Sequence, residues 1–154
     1  MQIQYLADHL EFAPVLAAWH YAEWASLLPE WSHAEALADL QSHTQRRRIP
    51  TTLVALEDSR LLGSVSLLTT DLEGWEHLTP WLASFYVIAG RRGEGIGTRL
   101  IQRAIEEARE LGVPTLHLFT AGQEAFYLRL GWRRLATTSH AGQEVVIMER
   151  STVR

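Results

Sequence analysis

The 154-residue sequence predicts an α/β protein, with a mixed β-sheet of about seven strands flanked by about four helices. Two observations predict this class. Apolar and amphipathic stretches follow the order strand, two helices, three strands, helix, strand, helix and two strands, and a glycine-rich loop joins the fourth strand to the third helix. Apolar residues make up 47% of the chain, enough for one compact core, so we expect a single domain over residues 1–154.

The first third of the chain predicts one strand and two helices. Residues 3–6 form a short apolar strand, and residues 11–28 carry apolar side chains at helical spacing. Ser32 and Glu35 form a capping-box pair that predicts the start of the second helix, which we expect to end at about residue 47. On this prediction the arginine run at 46–48 is a solvated helix end.

The middle of the chain predicts a hairpin, a loop and a central strand. Residues 50–57 and 61–68 are strands joined by a turn at 58–59. A polar and aromatic connection over residues 69–80 leads to the central strand at 81–88.

The last third predicts a long helix, a strand, a short helix and a hairpin. The long helix over 96–111 has one apolar face and one charged face that includes Glu107, and Gly112 and Pro114 end it. The strand over 115–120 follows. The final hairpin has strands at 135–139 and 144–148.

The loop before the long helix has glycines at positions 90, 93, 95 and 97 and arginines at 91 and 92. Where such a loop enters a helix, free backbone N–H groups point out of the first turn, and the helix dipole adds partial positive charge. Glycine keeps side chains away from these amides. The loop therefore predicts a phosphate site, and the alternative is a turn that only starts the helix.

Two common phosphate-binding signatures do not fit this loop. Gly90 and Gly95 have the spacing of a P-loop, but Ile96 occupies the place of its lysine. In a dinucleotide fingerprint that begins at Gly93 and Gly95, the third glycine would fall on Thr98.

A different signature fits the loop. Residues 92–97, Arg-Gly-Glu-Gly-Ile-Gly, match Arg/Gln-x-x-Gly-x-Gly/Ala, and the loop resembles the pyrophosphate-binding loop of the GCN5-related N-acetyltransferase (GNAT) superfamily. Residues 123–132, Gln-Glu-Ala-Phe-Tyr-Leu-Arg-Leu-Gly-Trp, resemble the Ala-x-x-Phe-Tyr-x-x-x-Gly-Phe segment of the same superfamily, one strand further on. The pair of motifs is far more specific than either motif alone.

The resemblance implies acetyl-CoA as co-substrate, no metal, and a sheet that splays between its fourth and fifth strands, here 82–88 and 115–120. The pantetheine arm would lie in that splay and pair with the backbone of the fourth strand. An asparagine common after the fifth strand is replaced by Thr120, so Gln123 is expected to make its hydrogen bond. The resemblance assigns to the cofactor Phe85, Tyr86, Val87, Arg92, Gly93, Glu94, Gly95, Ile96, Gly97, Thr98, Gln123 and Phe126.

The resemblance also implies the proton chemistry of acyl transfer. Tyr127 stands where the family has the tyrosine that protonates the departing thiolate, and the alternative is a tyrosine that packs in the core. A phenol suits this task because its pKa, about 10, lies close to that of an alkyl thiol. No general base is obvious. His77 has the most suitable pKa, with deprotonation through water as an alternative, and the other candidates are Glu23, Glu73 and Glu76.

Tryptophan is abundant in two regions that the resemblance places at the acceptor pocket. Trp19, Trp24 and Trp31 lie in the predicted N-terminal helices, and Trp75 and Trp81 lie on either side of His77. An aromatic wall for the acceptor is one interpretation, and packing of the core is the other.

Composition excludes several classes of protein. The chain has 14 basic and 18 acidic side chains and no basic stripe, so no nucleic-acid partner is expected. The lack of cysteine excludes disulfides and thiolate metal sites, and the seven histidines have no metal-ligand spacing. Without a signal peptide or a long apolar span, we expect a cytoplasmic protein with no membrane partner.

These observations predict an acetyl-CoA-dependent N-acetyltransferase, a monomer or homodimer, that acts on a primary amine of a small molecule, peptide or protein. The expected reaction is direct attack in a ternary complex. The alternative is a non-catalytic acyl-CoA-binding sensor or partner domain on the same fold, which would keep the glycine loop and have no use for Tyr127.

Overall fold

A computed structural model describes residues 1–154 and contains one seven-stranded sheet with four α-helices. Its strands, in chain order, are β1 (Gln2–Tyr5), β2 (Thr51–Glu57), β3 (Arg60–Leu68), β4 (Trp81–Val87), β5 (Thr115–Thr120), β6 (Arg133–His140) and β7 (Gln143–Ser151). Its helices are α1 (Ala13–Trp24), α2 (His33–Ser42), α3 (Ile96–Glu110) and α4 (Glu124–Arg129).

The sheet is mixed, as the sequence predicts. Its strands lie in the order β1-β2-β3-β4-β5-β7-β6, and every neighbouring pair is antiparallel except β4 and β5, which are parallel. The predicted fold class is therefore confirmed.

Helices cover both faces of the sheet, and alternate residues of β2 show how the sequence divides between the two cores. Leu53 and Ala55 belong to the core that contains the buried side of α3, whereas Val54 and Leu56 belong to the core beneath α1 and α2. This division follows from the two-residue period of a strand. We call the two faces the α3 face and the α1 face.

The long helix α3 follows the predicted apolar spacing with one exception. Glu107, predicted on the charged face, is only 1% exposed. It is buried because the Tyr5 hydroxyl donates to its carboxylate at 2.7 Å and the Arg103 guanidinium lies 2.9 Å from it. A carboxylate can be buried when such partners replace water.

The second helix begins as predicted and ends earlier than predicted. The Ser32 hydroxyl accepts the Glu35 N–H at 3.0 Å, but the helix ends at Ser42 and not near residue 47. The following backbone pairs with the start of β2, where the Thr52 N–H donates to the His43 carbonyl at 3.1 Å. The arginine run is therefore not a helix end, and Arg46 instead bonds to Asp8.

No helix of the protein has both the length and the apolar character that a membrane crossing requires.

Candidate functional site

The loop between β4 and α3 has a backbone conformation that favours glycine at two of its positions. Gly93 and Gly95 have φ of +83° and +85°, a left-handed conformation that glycine adopts without strain. Gly95 is the residue before the helix, and no side chain caps the first turn of α3. The first α-helical bond at this end runs from the Arg99 N–H to the Gly95 carbonyl, so the amides of Ile96, Gly97 and Thr98 have no helical acceptor.

Gly97 has a second role, in packing. A Cβ at this position would lie 2.8 Å from Cζ of Phe85 and 3.6 Å from a methyl carbon of Val87. The absence of a side chain at Gly97 therefore lets α3 approach the end of β4. By contrast, nothing lies within 4 Å of a Cβ built on Gly93 or Gly95, so these two positions face open space.

The three arginines near the loop have different environments. Arg91 is held by carboxylates, with Nη1 at 3.0 Å from Glu57 and Nε at 2.8 Å from Glu94. Arg92 is exposed, donates from Nε to the Val87 carbonyl at 2.9 Å, and lies over the Tyr86 ring with Cζ 5.6 Å from its centroid.

Arg99 is exposed and forms no ion pair within the chain. It lines a surface hollow of about 300 Å³ at the N-terminus of α3 together with Met1, Glu57, Arg91, Glu94 and Ile96. Arg92 and Arg99, and not Arg91, therefore keep their charge available at the loop.

The fourth and fifth strands separate beside the loop, as the sequence predicts. They pair only at Trp81 and His117, near the start of each strand. The following part of β4, including Phe85, Tyr86 and Val87, has no partner on β5. The resulting gap exposes the edge of β4 to a ligand that can supply hydrogen bonds in place of a strand.

Tyr127 and Phe126 lie on the α3 face, next to β4. The ring of Phe126 stacks on Phe85 at 6.1 Å between centroids, and the ring of Tyr127 meets Phe85 edge-on at 6.4 Å. Tyr127 is 7% exposed, and burial raises the pKa of its phenol well above the usual value. The phenol is therefore protonated at neutral pH, as a proton donor must be.

Gln123 lies at the start of α4 with an exposed side chain. Its backbone N–H donates to the hydroxyl of Thr120, the last residue of β5, at 3.1 Å. This bond connects the end of β5 to α4 and helps to place Phe126 and Tyr127 beside β4.

His77 is not among the side chains that meet at Tyr127. It is exposed in the loop after β3 and stacks on Trp75 at 5.6 Å between ring centroids. Glu76 in the same loop accepts the Gly74 N–H at 3.1 Å. Trp81 is fully buried and donates to the Leu78 carbonyl at 2.6 Å, so it packs in the core and does not line a pocket.

The α1 face contains an aromatic cluster around Tyr86 that the sequence does not predict. The Tyr86 ring lies 5.8 Å from Trp19, 6.2 Å from His20 and 6.4 Å from Trp24, measured between centroids. His20 is 3% exposed, and its ring lies tilted against Trp24, one turn further along α1, with 4.8 Å between the centroids. Helical spacing connects these residues of α1 to each other, but no sequence signal connects them to position 86.

Sequence reasoning also missed Asp71. This half-buried residue follows β3, and burial raises the pKa of its carboxyl to about 7. Its neighbour Leu72 packs against Trp81. A short polar stretch between a strand and a loop carries no signal for such burial.

Known proteins share this sequence pattern and this fold. The sequence matches the acetyltransferase (GNAT) family over residues 16–132. No curated protein matches the sequence significantly. Similar solved structures include the aminoglycoside 6'-N-acetyltransferase from Enterococcus faecium, with a TM-score of 0.77 and 16% identity over 100% of this chain and 98% of that chain.

Two further structures are similar. The Salmonella typhimurium protein yncA, solved with its cofactor acetyl-CoA, has a TM-score of 0.72 and 20% identity over 100% of this chain and 95% of that chain. A ribosomal-protein-alanine N-acetyltransferase from Brucella melitensis has a TM-score of 0.74 and 23% identity over 98% of this chain and 99% of that chain. At these identities the likeness establishes the fold.

Proposed function

The chain belongs to the acetyltransferase (GNAT) family, and we propose that it transfers the acetyl group of acetyl-CoA to a primary amine by direct attack in a ternary complex. One observation carries this proposal. Phe85, on the unpaired part of β4, contacts both the N-terminal turn of α3 at Gly97 and the buried Tyr127. The candidate phosphate site, the open strand edge and the candidate proton donor therefore lie side by side.

The loop would bind the pyrophosphate of the cofactor, and the strand edge would bind its pantetheine arm. The uncapped amides of Ile96, Gly97 and Thr98 would accept the pyrophosphate, with added charge from Arg92. Gly93 and Gly95 would leave the approach open, and Glu94, which is paired with Arg91, would take part through its backbone. The pantetheine amides would pair with the backbone of Phe85–Val87, where β5 supplies no partner.

The two remaining candidate cofactor residues, Phe126 and Gln123, would lie near the thioester. Phe126 would give the pantetheine an apolar contact beside Phe85, and the exposed amide of Gln123 would hydrogen-bond to the arm. Acetyl-CoA supplies a thioester whose carbonyl carbon forms a bond to the amine nitrogen while the carbon–sulfur bond breaks.

Two protons move in this reaction. Tyr127 would donate its phenolic proton to the departing sulfur. Burial raises the pKa of the phenol and makes it a weaker acid, but a thiolate formed in the same apolar gap would be disfavoured for the same reason, so the proton can still pass from oxygen to sulfur. The amine must lose a proton before or during attack. His77 is our candidate base for this step, and water in the open gap is the alternative route.

The acceptor would approach from the α1 face. There Trp24, Trp19 and Tyr86 form an apolar wall beside β4, which suits an amine carried on a ring or an apolar chain. The similar structures include enzymes named for aminoglycosides and for a ribosomal protein, so a test panel needs both kinds of amine.

A thiol-release assay tests the proposed function. The purified protein is given acetyl-CoA with aminoglycosides, aromatic and aliphatic amines, and peptides with free N-termini, and the acetylated product is identified by mass spectrometry. We expect release of coenzyme A that depends on one class of amine. Tight acetyl-CoA binding without release on any amine would favour the acyl-CoA-binding sensor instead.

A further inference from the structure

The middle of β4 contains a bulge where the strand leaves its neighbours. Ser64 of β3 lies opposite Tyr86, and Ser66 lies opposite Ala83, so Ser84 and Phe85 share a single position across from β3. Ser84 has φ of +50°, a left-handed conformation that is unfavourable for a residue with a side chain. Such a conformation persists only where the surroundings hold it.

Two side chains from the α1 face hold this bulge. The Ser64 hydroxyl donates to the Ser84 carbonyl at 3.0 Å, and the same oxygen lies 2.9 Å from Nε2 of His20. The hydroxyl has one proton, which goes to the carbonyl, so its oxygen accepts the Nε2–H of His20. The chain of bonds therefore runs from α1 through β3 to the bulge of β4.

We call this chain of hydrogen bonds from His20 through Ser64 to Ser84 the relay. Its surroundings keep it in one arrangement. His20 is 3% exposed, and Ser64 is fully buried. Burial lowers the pKa of His20 to about 4, so the imidazole is neutral at pH 7 and has one donor nitrogen. The rings of Trp24 and Tyr86 pack on the imidazole from two sides and fix its orientation.

We propose that His20 and Ser64 are positioning residues that hold the β4 bulge in the shape that the acyl-CoA site requires. The bulge turns Phe85 toward the α3 face, where it contacts Gly97, Phe126 and Tyr127, and Tyr86 toward the aromatic cluster on the α1 face. The inference rests on the proposed function, because the bulge matters to chemistry only if the gap beside it binds acyl-CoA. It also connects the α1 face to the cofactor side.

The neighbouring residue Ser66 provides a matched control. It is fully buried on the same strand, and its hydroxyl lies 2.7 Å from the Thr52 hydroxyl and makes no hydrogen bond to β4. Ser64→Ala and Ser66→Ala therefore each remove one buried hydroxyl, but only the first disconnects the bulge. NMR would follow the backbone chemical shifts of Ser84, and calorimetry and kinetics would follow acetyl-CoA affinity and kcat/KM.

We expect Ser64→Ala to move the Ser84 shifts toward extended values and to lower acetyl-CoA affinity and kcat/KM by about tenfold, since small misplacements are costly in catalysis. Ser66→Ala is expected to stay within about twofold of the wild type, as an effect on stability alone would. Unchanged Ser84 shifts, or equal losses in both variants, would overturn the proposal.

Substitution of His20 tests the other end of the relay. His20→Gln keeps an N–H donor, whereas His20→Leu has none, so kcat/KM should be several-fold higher in the first variant, in keeping with about 1 kcal/mol for one hydrogen bond. Equal kcat/KM values in these two variants would show that His20 does not act through the hydrogen bond to Ser64. If the wild type transfers acetyl to no amine, the proposed function fails, and the Ser84 shifts and acetyl-CoA affinity still decide the positioning role.

Discussion

The two sides of β4 differ in how the sequence encodes them. On the α3 face, Phe85 meets residues of two short motifs, the glycine loop and the segment around Tyr127. On the α1 face, Tyr86 meets side chains of α1 that belong to no motif. On our proposal, the motif residues that bind the cofactor on one side of β4 can stay the same while the side chains that meet the acceptor on the other side vary.

On both sides of β4, burial favours the neutral form of a titratable side chain. It raises the pKa of the Tyr127 phenol on the α3 face and lowers the pKa of the His20 imidazole on the α1 face. Removal from water disfavours whichever form is charged, so an acid keeps its proton and a base remains without one. On our proposal the α3 face therefore offers a proton to the reaction, while the α1 face offers a neutral hydrogen-bond donor to the strand.

The largest effect is expected from Tyr127→Phe on the α3 face. Loss of the phenolic proton should lower kcat and kcat/KM together by about 10²–10⁴, because the proton is needed mainly in the transition state. Acetyl-CoA affinity, measured by calorimetry, should change only a few-fold, since the ring still packs on Phe85. The loss should shrink with an acyl donor whose thiol is more acidic, and equal loss with both donors would point to positioning of the sulfur instead.

The next effect is on stability and concerns His20 on the α1 face. The pKa of His20 is lowered from 6.5 to about 4 by folding, so the unfolded chain binds more protons between these values. Stability should therefore fall as the pH drops from 6.5 toward 4, by about 3 kcal/mol from this residue. Urea unfolding at several pH values should show a shallower dependence in His20→Gln, and an unchanged slope would show that His20 is not responsible.

Gly95→Ala should weaken acetyl-CoA binding by about tenfold, or 1.4 kcal/mol, because a methyl group would stand before the amides of α3. Gly112→Ala is the matched control. Gly112 has φ of +76° and open space at its Cβ, as Gly95 has with +85°, but it lies at the other end of α3. Both variants should lose similar stability in thermal unfolding. If calorimetry gave the two variants equal affinity for acetyl-CoA, the phosphate site would be refuted.

Arg92→Ala should weaken coenzyme A binding by about fivefold, less than a buried charge-assisted hydrogen bond would give, because the guanidinium is exposed and its charge is screened by water. Binding of pantetheine fragments without phosphates should weaken much less. Arg91 provides the comparison, since its guanidinium is already paired with Glu57 and Glu94. Arg91→Ala should lower the melting temperature but leave the ratio of coenzyme A affinity to pantetheine affinity nearly unchanged. Equal losses for both ligands in Arg92→Ala would show that Arg92 does not contact the phosphates.

An effect of similar size is expected from Trp24→Leu on the α1 face. The acceptor KM should rise about three- to tenfold through loss of one aromatic contact, with acetyl-CoA affinity nearly unchanged. Titration of the acceptor should also quench tryptophan fluorescence less in the variant. A change confined to the melting temperature would assign Trp24 to packing, and a larger loss of acetyl-CoA affinity would mean that the two sides of β4 are not separable.

The sequence by itself determined the elements whose cause is local. The start of α3 after the glycine loop and the apolar stripe of this helix follow from residues that are close in the chain, and both were predicted. The position of Tyr127 in the helix that follows β5 was predicted as well, from a motif that the family resemblance supplied. Neighbouring residues suffice for such features because backbone conformation and helical periodicity are short-range properties.

Only the tertiary structure decided which distant side chains meet. His20 and Ser64 are 44 residues apart, and Ser64 and Ser84 are 20 apart, so no local pattern relates them. For the same reason the charged face of α3 did not reveal the burial of Glu107, whose partner Tyr5 comes from β1. A buried polar group is stable only beside its partner, and the partner is brought there by the order of strands in the sheet.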